Sequence, residues 1–201
     1  GLGWQGLAAL GMACVCVRWQ GQLLRRPGVG ERVTVETWHR QRKGPRFYRC
    51  YRWVAASGAE IIRGVMEFAL VSPADHRLLR GEEFDRFAIP AQPERRVDCP
   101  DPGRLTLPEM AAAGSYRVRP SDADMNGHMN NTHYADLCED LLPPGTAVGE
   151  ITLQFLHESR PGETVALESA REGAALYLRG SREGAPVFAA RVVLTEDGCG
   201  A

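Results

Sequence analysis

Lysine is almost absent from this chain: Lys43 stands alone among 24 basic residues, and the rest are arginine. So marked a skew reads as genome composition rather than chemistry. Long apolar runs are missing too. The longest, Gly6–Val17, is interrupted by glycine, whereas a membrane-spanning helix needs about 20 apolar residues. No basic segment precedes it, so it is not an export signal. Cys14, Cys16, Cys50, Cys99, Cys138 and Cys199 contain no Cys-x-x-Cys spacing and no regular ladder. Neither a zinc knuckle nor a disulfide scaffold is implied, and reduced thiols in a cytoplasmic protein are expected.

What is present fits an ordinary soluble protein, with 44% hydrophobic and 24% charged residues. Disorder, collagen-like repeats and coiled coil are excluded. A length of 201 residues suits one large or two small domains. The net charge of −1 argues against a nucleic-acid partner, but it conceals a polarity. Residues 1–52 hold ten basic and two acidic side chains, a net of +8, and residues 53–201 hold 14 and 23, a net of −9. So basic an end is an electrostatic footprint for an acidic partner.

Hydrophobic periodicity predicts mostly strands. Cys14–Gln22 and Glu31–His39 alternate, Phe47–Val54 is rich in aromatics, and Ser57-Gly58 turns the chain into Ile61–Val71. Short connections between them imply an antiparallel sheet. Residues 93–114 are proline-rich and aperiodic, which predicts a linker between an N-terminal domain, 1–92, and a C-terminal one, 115–201. In the second domain the pattern predicts a strand over Ser115–Arg119, a polar loop over Ser121–Asn131 and a helix over Thr132–Leu142. Strands follow over Glu150–His157, Thr164–Ser169, Ala174–Leu178 and Pro186–Leu194. One helix followed by antiparallel strands is an α+β unit whose sheet wraps the helix. The first domain has the strands without the helix, so a strand and helix upstream of Gly1 are expected.

The loop is the most chemically loaded segment, with Asp122, Asp124, Asn126, His128, Asn130, Asn131 and His133 within twelve positions. Amides of a loop entering a helix can stabilise an oxyanion. Asp124, Asn126 and His128 share a two-residue spacing, so an extended stretch would aim all three one way. A histidine flanked by a carboxylate and an amide suits general base catalysis. The plainer alternative for Asn130, Asn131 and Asp122 is helix capping and an Asx-turn. The spacing matches no common metal pattern.

Asp-Ala-Asp-Met-Asn-Gly-His-Met-Asn-Asn-Thr-His-Tyr134 resembles the signature loop of acyl-acyl-carrier-protein (acyl-ACP) thioesterases. Arg18-Trp19, Arg26-Pro27, Gly30-Glu31-Arg32-Val33 and Thr37-Trp38 are similar to the first-domain pattern of that family. The resemblance implies two tandem hot-dog domains, α+β, each an antiparallel sheet wrapped on a central helix. It implies hydrolysis of fatty acyl-ACP, with no cofactor and no metal. Its catalytic residues carry over to Asp124, Asn126, His128 and, in Phe155-Leu-His-Glu-Ser-Arg-Pro-Gly162, Glu158. Plant members have cysteine directly after that glutamate; here it is Ser159, which favours attack by water, with Ser159 as an alternative nucleophile. His157, next to Glu158 on the expected strand, would face the other way.

The basic run at Arg40, Arg42, Lys43 and Arg46 is either a charge-blunted strand edge or a docking surface for acyl carrier protein carrying its fatty acyl chain. Alternatives for the whole chain are an acyl-coenzyme A thioesterase, or a non-catalytic acyl-binding module. A hot-dog dehydratase is disfavoured, because no His-x-x-x-Gly-x-x-Pro run occurs. Monomer and homodimer are both compatible with two hot-dog units in one chain, and no nucleic acid or membrane insertion is expected.

Overall fold

Strand-forming residues dominate, and antiparallel ladders account for most of the backbone pairing in the computed structural model, which describes residues 4–85 and 87–195. Two units divide the chain, Gly1–Pro102 and Gly103–Ala201.

In the first unit, α1 (Trp4–Ala8) leads into β1 (Ala13–Leu23), β2 (Val33–Lys43), β3 (Arg46–Ala55) and β4 (Glu60–Val71), followed by a single turn, α2 (Glu82–Asp85). The sheet order is β2-β3-β4-β1, antiparallel throughout. All four predicted strands are present. β2 continues past His39, so the basic run forms one arm of a tight hairpin with Lys43 opposite Arg46. Each face of this sheet has its own apolar cluster. Leu7, Met12, Phe47 and Leu70 pack with Phe68, Phe84 and Phe87 on one. Trp38, Cys50 and Val65 pack with Tyr48 and Val97 on the other. The described helices of this unit are five and four residues long, too short to span the sheet.

Residues 95–102 differ from the free linker that their prolines predict. Proline denies the segment a place in a ladder, but side-chain contacts hold it against the first unit. Trp38 Nε1 donates to the Arg95 carbonyl at 2.7 Å, and the Arg95 guanidinium lies 4.0 Å from the Trp38 ring centroid. Arg63 reaches Asp98 at 3.1 Å, and Asp101 takes Arg40 at 2.6 Å and Lys43 at 3.4 Å.

The second unit runs β5 (Ala111–Arg117), a 3-10 turn (Pro120–Asp122), α3 (His133–Glu139), β6 (Ala147–Phe155), β7 (Thr164–Glu172), β8 (Ala175–Arg182) and β9 (Ala185–Thr195). Its antiparallel order is β6-β9-β8-β7-β5. β5 begins at Ala111, inside the span expected to link the domains. α3 ends three residues before Leu142, which precedes Pro143, and a residue before proline is pushed out of helical geometry. β6 stops at Phe155, which leaves His157 exposed in a bend rather than on a strand. The helix packs through Tyr134, whose ring lies 4.8 Å from Phe188 and 5.8 Å from Phe155. Gly180 is needed beneath Phe188: a Cβ there would lie 2.2 Å from the ring. The resulting sheet-on-helix unit is the expected α+β architecture.

No helix of the described residues is long and apolar enough to cross a membrane. Cys14, Cys16, Cys50, Cys99 and Cys138 are free thiols, and Cys199 lies outside the described residues. Burial pushes the Cys16 and Cys138 thiols up to about 12, so both stay protonated and unreactive at neutral pH.

Glu67 is the most buried charge of the first sheet, 2% exposed, with Arg18 at 2.8 Å and Arg46 at 3.3 Å. Removing one partner of such a group leaves uncompensated charge in a poorly solvated place. Glu67→Leu should therefore destabilise the fold by roughly 3 kcal/mol in a chemical denaturation curve. A loss below about 0.5 kcal/mol would mean the arginines are solvated without it.

Candidate active site

The loop between β5 and α3 is built on Asp122. Its carboxylate is buried, accepting from the Tyr116 hydroxyl and the Arg119 amide, both at 2.7 Å. Burial works against the charge, but the Arg119 amide, the Tyr116 hydroxyl and nearby His133 outweigh it, so the carboxyl is held below its usual range. The Asp122 carbonyl takes the Asn130 amide at 2.8 Å, closing the base of the loop.

Beyond that base the chain makes a small hairpin. Ala123 bridges Met129, the Asp124 amide donates to the His128 carbonyl at 2.8 Å, and the Gly127 amide donates to the Asp124 carbonyl at 3.0 Å. Gly127 adopts φ +75°, a conformation that disfavours any side chain. The extended geometry expected from the two-residue spacing is therefore absent. Asp124 instead accepts the Asn126 amide at 2.8 Å and its side-chain amide at 3.2 Å, with the His128 amide at 3.4 Å. It shapes the loop and does not touch the imidazole of His128.

The expected oxyanion role of the loop amides changes for the same reason. Besides the amides of Asp124, Asn126 and His128, those of Gly127, Met129, Asn130, Thr132 and His133 all donate within the protein. A tight loop satisfies its own donors first. Asn130 accepts from both the amide and the hydroxyl of Thr132 at 3.0 Å, an Asx-turn ahead of α3 rather than the expected N-cap, a position that Thr132 occupies. His133 engages Asp136 at 2.8 Å.

The Met129 amide donates to the Ser159 carbonyl at 2.7 Å. That bond ties the loop to the turn after β6 and brings His128 Nε2 to 3.1 Å from Glu158 Oε2. The other Glu158 oxygen takes Arg160 at 3.0 Å, and Arg182 donates to the Glu158 carbonyl at 3.1 Å. Arg182 also holds Glu163, which accepts the Arg160 amide at 2.7 Å. His128 and Glu158 are half-buried, and Asn126 is exposed. Of the four residues expected to be catalytic, the structure joins Asp124 to Asn126 and His128 to Glu158. Sequence reasoning missed Arg160 and Arg182. The first was findable, two positions after Glu158, but Arg182 lies on a distant strand and carries no local signal.

Residues 107–189 match the family model of the acyl-ACP thioesterase C-terminal domain. That match makes residues 107–189, most of the second unit, an acyl-ACP thioesterase C-terminal domain. All four residues expected to be catalytic fall inside the matched span. No curated protein matches the chain. Among solved structures, it is similar to an acyl-ACP thioesterase from Bacteroides thetaiotaomicron at 18% identity, covering 97% of this chain and 82% of that one with a TM-score of 0.83. The 12:0-ACP thioesterase from Umbellularia californica gives 18% identity, coverage of 94% and 78%, and a TM-score of 0.79. A MaoC-like dehydratase from Phytophthora capsici gives 13%, 92% and 72%, and a TM-score of 0.57. At these identities the structural likeness shows the hot-dog fold.

The basic residues expected to dock the carrier do not form one exposed patch. Arg40 is buried, 2% exposed, and held by Asp101. Arg42 is bonded to Asp85 at 2.7 Å, and Arg46 leans on Glu67 at 3.3 Å. Lys43 is exposed beside Asp101. Much of the hairpin's charge is thus neutralised by acids from later in the same unit.

Ser159 is fully buried, its hydroxyl facing that of Tyr134 without a well-formed hydrogen bond. It is closed to a substrate carbonyl. Ser159→Ala should keep turnover within about twofold, because no interaction made only in the transition state is removed. A loss of a hundredfold or more would restore the nucleophile. For Asp122 the folded-state value lies below the unfolded one, so its contribution is present at neutral pH and lost as pH falls through the folded value. Asp122→Asn should cost about 1–3 kcal/mol at neutral pH, and the gap from wild type should narrow below about pH 4. A gap independent of pH in thermal melts would contradict the assignment.

Proposed function

We propose that this thioesterase hydrolyses the thioester joining a fatty acyl chain to acyl carrier protein, releasing free fatty acid, and that His128 and Glu158 carry the chemistry. The observation behind this reading is the 3.1 Å contact between His128 Nε2 and Glu158 Oε2, on two segments that both lie in the matched family span. A carboxylate hydrogen-bonded to an imidazole makes a competent proton acceptor.

The pair takes a proton from a water molecule, whose oxygen adds to the thioester carbon. The tetrahedral intermediate collapses by breaking the carbon–sulfur bond, and the proton returns to the departing thiolate. Asn126 is exposed, and Asp124 holds its side-chain amide. It orients the water or polarises the thioester oxygen, a task that the loop amides are largely too occupied to perform. Asp124 acts by holding the loop. The described cysteines are all free, which suits a reducing cytoplasmic setting, and the enzyme works there as a monomer or homodimer.

His128→Ala and Glu158→Gln should each lower kcat by roughly 10²–10⁴-fold with unchanged thermal unfolding, measured as fatty acid released from carrier-bound substrate. Full activity in both variants would refute the site.

A further inference from the structure

The second unit is acidic. It holds eight basic and 14 acidic residues, a net of −6. An acidic carrier meets repulsion there unless positive charge is concentrated where it docks. Most arginines of this unit are occupied. Arg160, Arg179, Arg182 and Arg191 hold Glu158, Glu168, Glu163 and Glu150, and Arg171 bonds a backbone carbonyl. Arg104, Arg117 and Arg119 differ: all three are exposed, and among the described residues no carboxylate pairs with their side chains; of these, Arg117 and Arg119 lie together. Arg117 ends β5, and Arg119 follows in extended backbone with its guanidinium 5.9 Å from the Tyr116 ring centroid.

They line an open cleft of about 610 Å³ whose far wall includes Pro161 and Gly162. Both walls are continuous with the active site. Residues 117–120 run into the catalytic loop, and Gly162 follows Glu158 by four residues, within a chain reach of about 14 Å. The walls are joined at Val118, whose carbonyl takes the Gly162 amide at 2.8 Å and whose amide donates to the Glu163 carbonyl at 2.9 Å.

We propose that this cleft binds the phosphodiester of the carrier's phosphopantetheine arm, with the Arg117 and Arg119 guanidinium groups donating to its oxygens. The proposal rests on the thioesterase reading above and moves the charged contact from the β2–β3 hairpin to the mouth of the site. Arginine suits it because its planar fork matches phosphate oxygens and stays charged.

The test uses one acyl chain on three leaving groups: acyl carrier protein, coenzyme A, and N-acetylcysteamine, which has no phosphate. For the Arg117→Ala/Arg119→Ala variant, kcat/KM should fall at least about tenfold on the two phosphate-bearing thioesters and stay unchanged on the third. The variant Arg117→Lys/Arg119→Lys keeps the charge and surface, and should show the same selectivity with a smaller loss. Unchanged rates, or an equal loss on all three thioesters in the lysine variant, would overturn the cleft while leaving the thioesterase reading intact. A wild-type chain that hydrolyses none of the three would overturn that reading, and the cleft with it.

Discussion

One backbone hydrogen bond, from the Met129 amide to the Ser159 carbonyl, aligns the two halves of the proposed chemistry. His128 and Glu158 are thirty residues apart and belong to different connections, and neither is anchored by its own side chain alone. Each side of that bond is braced separately. Asp122 fixes the loop through Tyr116 and Arg119, and Arg182 with Glu163 fixes the turn after β6. Ser159 is buried as a consequence of this arrangement. Its carbonyl, not its hydroxyl, makes that tie.

Charge behaves differently in the fold than along the chain. The first 52 residues carry +8, but the first unit as a whole has 16 basic and 11 acidic residues, a net of +5. The difference comes from acids that fold back from later in the unit. Asp85 meets Arg42, Asp101 meets Arg40, and Glu67 sits between Arg18 and Arg46. A basic run is thus a poor guide to an accessible basic surface, because ion pairs join residues far apart in sequence.

Period-two alternation made the strands legible, since it reports directly which face is buried. The loop before α3 is legible by composition, and its helix by the polar-to-apolar change at Thr132. The loop's conformation is not. Spacing assumed extended backbone, while Asp124 and Gly127 specify a turn, and Asx-turn chemistry competes with extension wherever a short acceptor precedes free amides. The strap over 95–102 was hidden for another reason. Its order depends on Trp38, Glu36, Arg63 and Arg40, none of which is near it in sequence.

The central claim is that His128 and Glu158 act as one proton-handling unit, and a double-mutant cycle on kcat tests it most directly. If it holds, the variant carrying both His128→Ala and Glu158→Gln should be no slower, within about threefold, than the slower of the two single variants, since groups that act together lose their effect together. Losses that multiply in the double variant would show two independent contributions and contradict the pair.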